Sequence, residues 1–227
     1  MPLSADNVWL IDKPLDWTSF DIVNKIKYAL KNNGIKTKIG HAGTLDPKAT
    51  GLLIICTGKY TKTIESIQNQ NKTYTGSFFI GATTPCFDTE QPVDEIFPID
   101  HITEELIDEK RKEFVGAIAQ TPPIHSAVKI KGKNAYTYAR QGKEVVLQPK
   151  IINIYDFEFT RIQIPELDFI VQCSKGTYIR SLANDFGLAL GSGGYLLSLR
   201  RTKIGEYNVS DAYSIDEMIN FIAQNSI

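Results

Sequence analysis

Eight consecutive residues, Gly40-His41-Ala42-Gly43-Thr44-Leu45-Asp46-Pro47, hold two glycines, one histidine and one carboxylate between a lysine-rich segment and an apolar run. Glycine lets a backbone come close to a ligand or adopt positive φ. The Asp46 carboxylate, with a reference pKa of about 3.9, is ionised at neutral pH and can act as a nucleophile. Aspartate before proline is also ordinary turn chemistry, so Asp46 stands as either nucleophile or turn residue. The second segment is Cys173-Ser174-Lys175-Gly176-Thr177-Tyr178-Ile179-Arg180. Thr177 is the expected N-cap of a helix, which puts Arg180 in its first turn. A cation there opposes the helix dipole at a cost of about 0.3–1 kcal/mol. A carboxylate from another segment would offset this, Asp46 being one candidate; an exposed, screened arginine is the other reading.

Other chemistries lack their residues. No HExxH pattern occurs, and His41, His101 and His125 are far apart with no cysteine beside them, which argues against zinc. Gly58-Lys59 is followed by Tyr60, so it is not a phosphate-binding P-loop. Gly191-Ser192-Gly193-Gly194 follows a predicted helix rather than a strand, unlike a dinucleotide loop. Cys56, Cys86 and Cys173 are scattered and read as reduced thiols of a cytoplasmic protein. No apolar run reaches the roughly 18 residues of a membrane span, and the first residues do not read as a signal peptide.

The elements that must position these residues follow from periodicity. Strands are expected at Val8–Ile11, Leu52–Cys56, Lys72–Gly81, Ile151–Arg161, Asp168–Ser174, Tyr195–Leu199 and Ile204–Val209, with Ile39–Thr50 as loop. A helix capped by Thr18 or Ser19 carries Phe20, Ile22, Val23, Ile26, Ala29 and Leu30 and ends at Gly34. Further helices are expected near Thr61–Ile67, over Thr103–Phe114, Asn134–Gln141 and Thr177–Leu190, and from Ser214, whose capping box is completed by Glu217. Strands and helices interleave without strict alternation. The expected class is α+β, with a central, mostly antiparallel mixed sheet flanked by helices and loops in one domain over residues 1–227.

Net charge is -1 over 227 residues, yet the charges are segregated. Lys129, Lys131, Lys133, Arg140, Lys143 and Lys150 face a single acid, Glu144, between Ile124 and Lys150, whereas Asp94 to Glu113 is predominantly acidic. Such a distribution fits one basic face on a neutral protein, or two solvated elements of opposite sign.

Taken in order, several blocks resemble the TruB family of transfer-RNA pseudouridine synthases. They are Leu10-Ile11-Asp12-Lys13-Pro14; Gly40 to Pro47 with Ala49-Thr50-Gly51; Lys72-Thr73-Tyr74; Ser126-Ala127-Val128-Lys129; Tyr136 with Tyr138-Ala139-Arg140; Cys173 to Arg180; and Leu199-Arg200-Arg201. The resemblance implies the pseudouridine synthase fold and isomerisation of uridine 55 in the T-loop of transfer RNA, with no cofactor and no metal. It implies Asp46 as catalytic aspartate, Tyr74 as the tyrosine stacked on the target base, and Arg180 as the arginine paired with the aspartate. It makes His41 the wedge beside the flipped nucleotide, and Lys13, Tyr178 and Leu199 structural or pocket positions. Residues 122–150 become an RNA-gripping insertion using Lys129, Lys131, Lys133 and Arg140. The implied partner is the T-arm of transfer RNA, bound by a cytoplasmic monomer without an obligatory protein partner or membrane. Two departures are expected to matter: no C-terminal PUA-like domain follows, and His125 stands where the family often has an aromatic hydroxyl residue. The rival readings are a non-catalytic transfer-RNA-binding or folding protein and a base-exchange transglycosylase.

Overall fold

Trp9, Ile11 and Lys13 are buried while their neighbours are half-buried or flank them, the period-two pattern of a strand with one face on a core. The computed structural model describes residues 4–124, 126, 129–130, 133–134 and 147–225. Its elements begin with β1 (Val8–Lys13), α1 (Ser19–Asn32), β2 (Ile39–His41), β3 (Ala49–Thr57), a 3-10 turn and α2 (Ile64–Gln68). Then come β4 (Lys72–Ile80), β5 (Ala82–Thr83), β6 (Glu95–Ile96), α3 (Glu104–Glu113), β7 (Gly116–Gln120), β8 (Lys129–Ile130) and β9 (Lys133–Asn134). The chain closes with β10 (Lys150–Gln163), β11 (Glu166–Cys173), α4 (Ile179–Ala189), β12 (Gly194–Ile204), β13 (Tyr207–Asn208) and α5 (Ile215–Gln224). Contacts divide it into two units, Met1–Tyr74 with Leu199–Ile227, and Thr75–Ser198.

In the first unit β3 is central. It pairs antiparallel with β1, from Val8↔Cys56 to Lys13↔Gly51, and with β2, and parallel with β12 at Leu199↔Ala49 through Arg201↔Gly51. Ala42, Leu52, Ile54, Cys56, Ile67 and Ile204 form one core cluster. Helix α1 buries Ile22, Val23, Ile26, Ala29 and Leu30 at helical spacing and packs against α5. Thr18 caps α1 in a capping box with Asp21, and Gly34, at φ +78°, turns the chain after it. The capping box of α5 pairs Ser214 with Glu217.

In the second unit the strand order β4-β11-β10-β7 is built on the β10–β11 hairpin. Its core is aromatic: Phe78 lies 4.4 Å from Phe169 between ring centroids, and Phe157, Phe159 and Phe186 lie within 6.4 Å of one or more of their partners. Each fully buried ring contributes about 1.5–3 kcal/mol of transfer free energy, so α4, which brings Phe186, is fixed on this sheet.

The α+β class and the mixed, mostly antiparallel sheet agree with the sequence reading, and three local expectations are corrected. The Ile39–Thr50 stretch is not wholly loop, since β2 and the start of β3 lie within it. Tyr195–Leu199 and Ile204–Val209 are not separate strands. A single strand, β12, runs through Arg200-Arg201-Thr202-Lys203, whose two arginines point to opposite faces where acceptors await them, and β13 folds back on its end. Helix α4 is preceded by Tyr178 rather than Thr177 as N-cap, because the Thr177 hydroxyl donates backwards to the Ser174 carbonyl at 3.0 Å. The expected Asn134–Gln141 helix begins at the end of β9, and residues 135–141 lie outside the described residues, as do His125, Lys131 and Arg140.

Candidate active site

Asp46 sits in the loop between β2 and β3, and four groups of the first unit fix that loop from different sides. The Ser19 hydroxyl, at the start of α1, donates to the Leu45 carbonyl at 3.1 Å and accepts from the Leu45 amide at 2.8 Å. The Arg201 guanidinium donates to the carbonyls of Gly43 at 3.0 Å, Thr44 at 3.3 Å and Leu52 at 2.8 Å. The Asp16 amide donates to the Pro47 carbonyl at 2.9 Å. The Lys13 ammonium donates to the carbonyls of Pro14 at 2.8 Å, Trp17 at 2.6 Å and Pro47 at 3.4 Å. Asp46 is half-buried at the apex of this frame. Because the backbone is anchored on both sides of it, the position of the carboxylate is set by the loop.

Lys13 is fully buried, and burial lowers its pKa to about 8, with the Asp46 carboxylate the main opposing influence. It therefore contributes a positive charge near the aspartate at neutral pH. Arg201, 1% exposed, is the larger structural cation. Its strand closes on β3 so tightly that a Cβ on Gly51, at φ +101°, would stand 2.3 Å from the Arg201 carbonyl oxygen. On the alternate face Arg200 pairs with both Asp12 oxygens, at 3.0 and 2.6 Å. The Asp12-Lys13 and Arg200-Arg201 pairs of the sequence thus act together, since one member of each joins strands and the other anchors the Asp46 loop.

His41 closes β2 opposite Ile55 and is half-buried. Burial lowers its pKa, the Gly43 backbone opposes this, and the Arg201 charge reinforces it, so the imidazole is neutral at pH 7. Tyr74 is buried in β4. Leu199 is half-buried on β12, its carbonyl accepting from the Thr50 hydroxyl at 3.4 Å.

Arg180 and Tyr178 belong to the second unit. The turn Ser174–Thr177, with Gly176 at φ +80°, delivers the chain from β11 into α4. Gln120 locks its end, accepting from the Tyr178 amide at 2.8 Å and donating to the Tyr178 carbonyl at 3.1 Å. Arg180, in the first turn of α4, is buried and meets Asp88 at 3.6 Å, both side chains being 6% exposed or less. Its Nη1 also donates to the Cys86 carbonyl at 3.4 Å. Asp88 is held in turn by the Cys86 thiol at 2.9 Å and by the Glu90 amide at 2.9 Å. Asp88 thus offsets the unfavourable helix-end charge within this unit.

Asp88 and Arg201 are the residues that sequence reasoning missed. Asp88 is the first charged side chain after the uncharged stretch Thr73–Phe87. Arg201 gives little signal in the sequence, because Arg200 and Arg201 read as part of a charged connection between two strands. The side chains of Lys129 and Lys133, like Lys131 and Arg140, lie outside the described residues.

Comparison with known proteins gives the class first. A crystal structure of a Cbf5-Nop10-Gar1 complex matches with a TM-score of 0.72 and 28% identity, over 96% of this chain and 54% of that one. A structure of an H/ACA RNP bound to a substrate RNA containing 2'-deoxyuridine matches with a TM-score of 0.71 and 26% identity, over 98% of this chain and 56% of that one. The chain spans about half the length of those solved chains. The fold is that of the pseudouridine synthases.

Residues 29–179 match the N-terminal domain of the TruB family pseudouridylate synthases, and residues 180–226 match the tRNA pseudouridylate synthase B C-terminal domain. The tRNA pseudouridine synthase B of Flavobacterium johnsoniae is 58% identical over 92% of each chain. That of Parabacteroides distasonis is 48% identical over 100% of this chain and 97% of its own. The chain belongs to the TruB family.

Proposed function

We propose that this protein isomerises uridine 55 in the T-loop of transfer RNA to pseudouridine, with Asp46 as the carboxylate that drives the reaction. The observation that carries the proposal is the Asp46 loop, pinned through Leu45, Gly43, Thr44 and Pro47 while Asp46 stays half-buried at its apex. A turn residue alone does not need two buried cations behind it. Family membership and the relatives named tRNA pseudouridine synthase B support the substrate class.

The reaction breaks the bond between N1 and the ribose, turns the base, and joins C5 to the ribose. N1 gains a proton and C5 loses one, so composition is unchanged and no redox group or metal is required. Exhaustive chelation with EDTA should leave the activity intact. The nucleotide leaves its stack at a cost of a few kcal/mol, offset by contacts in the pocket. Tyr74 is assigned to stack on the base, and Arg180 is assigned as the cation that serves the catalytic carboxylate. His41, neutral at pH 7, is assigned as the wedge in the T-loop. Lys13 holds the Asp46 loop, and Tyr178 and Leu199 are assigned to the pocket lining. Residues 122–150, with Lys129, Lys131, Lys133 and Arg140, serve as the phosphate-gripping insertion of one catalytic domain. The protein works as a cytoplasmic monomer on the T-arm.

Chemical mapping of pseudouridine in a transfer RNA incubated with the protein tests the site of action. Modification at position 55, lost when that uridine is replaced by cytidine, is expected. Tight binding with no pseudouridine anywhere in the RNA would establish the non-catalytic binding protein instead.

A further inference from the structure

Between Ile22 and Leu45 the chain carries five lysines, Lys25, Lys27, Lys31, Lys36 and Lys38, and no acidic residue. All five are exposed, and among the described residues none of them forms an ion pair. Several other surface cations of this protein are paired. Lys48 meets Asp16 at 2.7 Å, and on α3 Lys110, Arg111 and Lys112 meet Glu113 or Asp108 at 2.6–2.8 Å. Helix α1 and the segment that follows it thus carry a run of five exposed lysines without an ion pair.

The fold gathers three of them, while Lys25 lines a separate pocket with Asp16 and Asp21. Lys27 and Lys31 lie one helical turn apart, a like-charge spacing that mildly destabilises a helix. Gly34, at φ +78°, reverses the chain so that Lys36 returns beside them. Lys27, Lys31 and Lys36, with Leu30, Ile35 and Ile39, surround a cavity of about 120 Å³. Lys38 then leads directly into β2, which ends at His41. Repulsion is thus concentrated on one surface of the unit that also carries Asp46, and a polyanion would relieve it. The small cavity suits a compact anionic group rather than an aromatic anchor, and lysine meets phosphate as a flexible point charge.

We infer that this lysine surface of α1 and the α1–β2 connection is a phosphate-binding track for the same RNA, separate from the 122–150 insertion and leading its backbone towards His41. The inference rests on the proposed RNA substrate. It adds a line of phosphate contacts that neither the family match nor the basic insertion assigns. Because the lysines touch phosphate and not the reacting base, they act on binding and leave the chemical step alone.

The test compares the whole protein with Lys27→Ala/Lys31→Ala/Lys36→Ala and with the same three positions changed to arginine. Transfer-RNA affinity is measured across a salt titration, with KM and kcat for pseudouridine formation. The slope of log affinity against log salt should become shallower in the alanine variant by about 0.7–0.9 for each phosphate no longer neutralised. KM should rise while kcat stays within about twofold, and the arginine variant should restore the slope. An alanine variant with the wild-type slope, or an arginine variant that fails to restore it, overturns the proposal. So does poly-glutamate binding that the alanine substitutions abolish while the RNA slope stays unchanged, since the surface would then serve an acidic peptide. Wild-type protein that binds transfer RNA but forms no pseudouridine would sink the assigned activity and still leave the slope comparison decisive.

Discussion

Two buried charges, Lys13 and Asp88, make the sharpest demands at the level of single residues. Asp88 and Arg180 are each 5% exposed or less and meet at 3.6 Å, so removing Asp88 takes a carboxylate from beside a buried guanidinium. Asp88→Ala should therefore cost about 3–5 kcal/mol of stability, read from the denaturant midpoint. Replacing both, as Asp88→Leu with Arg180→Met, should recover most of that loss and none of the activity, because an apolar pair can pack but supplies no cation. Full stability in Asp88→Ala would mean that the pair is not part of the folded frame. Lys13 predicts a pH dependence. Its pKa of about 8 in the folded protein lies below the usual 10.5, so between those values the unfolded chain holds a proton that the folded one has lost. Stability contributed by this group consequently rises with pH across that window. Activity should move the other way, with an alkaline limb centred near pH 8, as the charge that grips the Pro47 carbonyl and faces Asp46 disappears. Lys13→Met should be less active at neutral pH and lack that limb; an identical limb in the variant would assign it to another group.

Among the elements, β3 and β12 together fix the Asp46 loop, one by leading away from it and the other by sending Arg201 into it. Arg201→Met keeps length and apolar bulk but removes the donor that the Gly43, Thr44 and Leu52 carbonyls share. A loss of about 2–4 kcal/mol is expected, with kcat falling more than affinity as the loop loosens. Gly51→Ala should be damaging for a different reason, combining positive φ with a Cβ only 2.3 Å from backbone oxygen. Thermal melting of both variants, alongside their kcat, checks these expectations; an Arg201→Met protein with unchanged kcat would detach the loop from the chemistry. Much of this frame is legible in the sequence. Capping residues Thr18 and Ser214 mark helix starts, and apolar runs mark β1, β3 and β4, because local propensity and burial agree there. Strand β12 reads as two pieces, since its charged middle looks like a surface connection until Asp12 and the buried carbonyls are known. The pairing of Arg180 with Asp88 is equally out of reach, since ninety-odd residues of sequence separate them and only the tertiary fold sets that distance.

Over the whole molecule, a net charge of -1 conceals surfaces of opposite character, so association with RNA should depend on where its lysines lie rather than on their total. Family membership follows from matches that run along nearly the whole chain. In the proposed reaction the Asp46 carboxylate carries the chemistry and the rest of the protein positions it. Tritium release from transfer RNA labelled at uridine C5 measures this directly, because the label leaves only when C5 takes over the bond to ribose. Wild-type protein should release the label stoichiometrically from position 55. Asp46→Asn, nearly identical in size but without the charge, should release none while binding the same RNA within about tenfold, or 1.4 kcal/mol, of wild type. Release by Asp46→Asn at more than about a hundredth of the wild-type rate, a barrier difference under roughly 2.7 kcal/mol, would contradict the assignment and return Asp46 to the role of a turn residue.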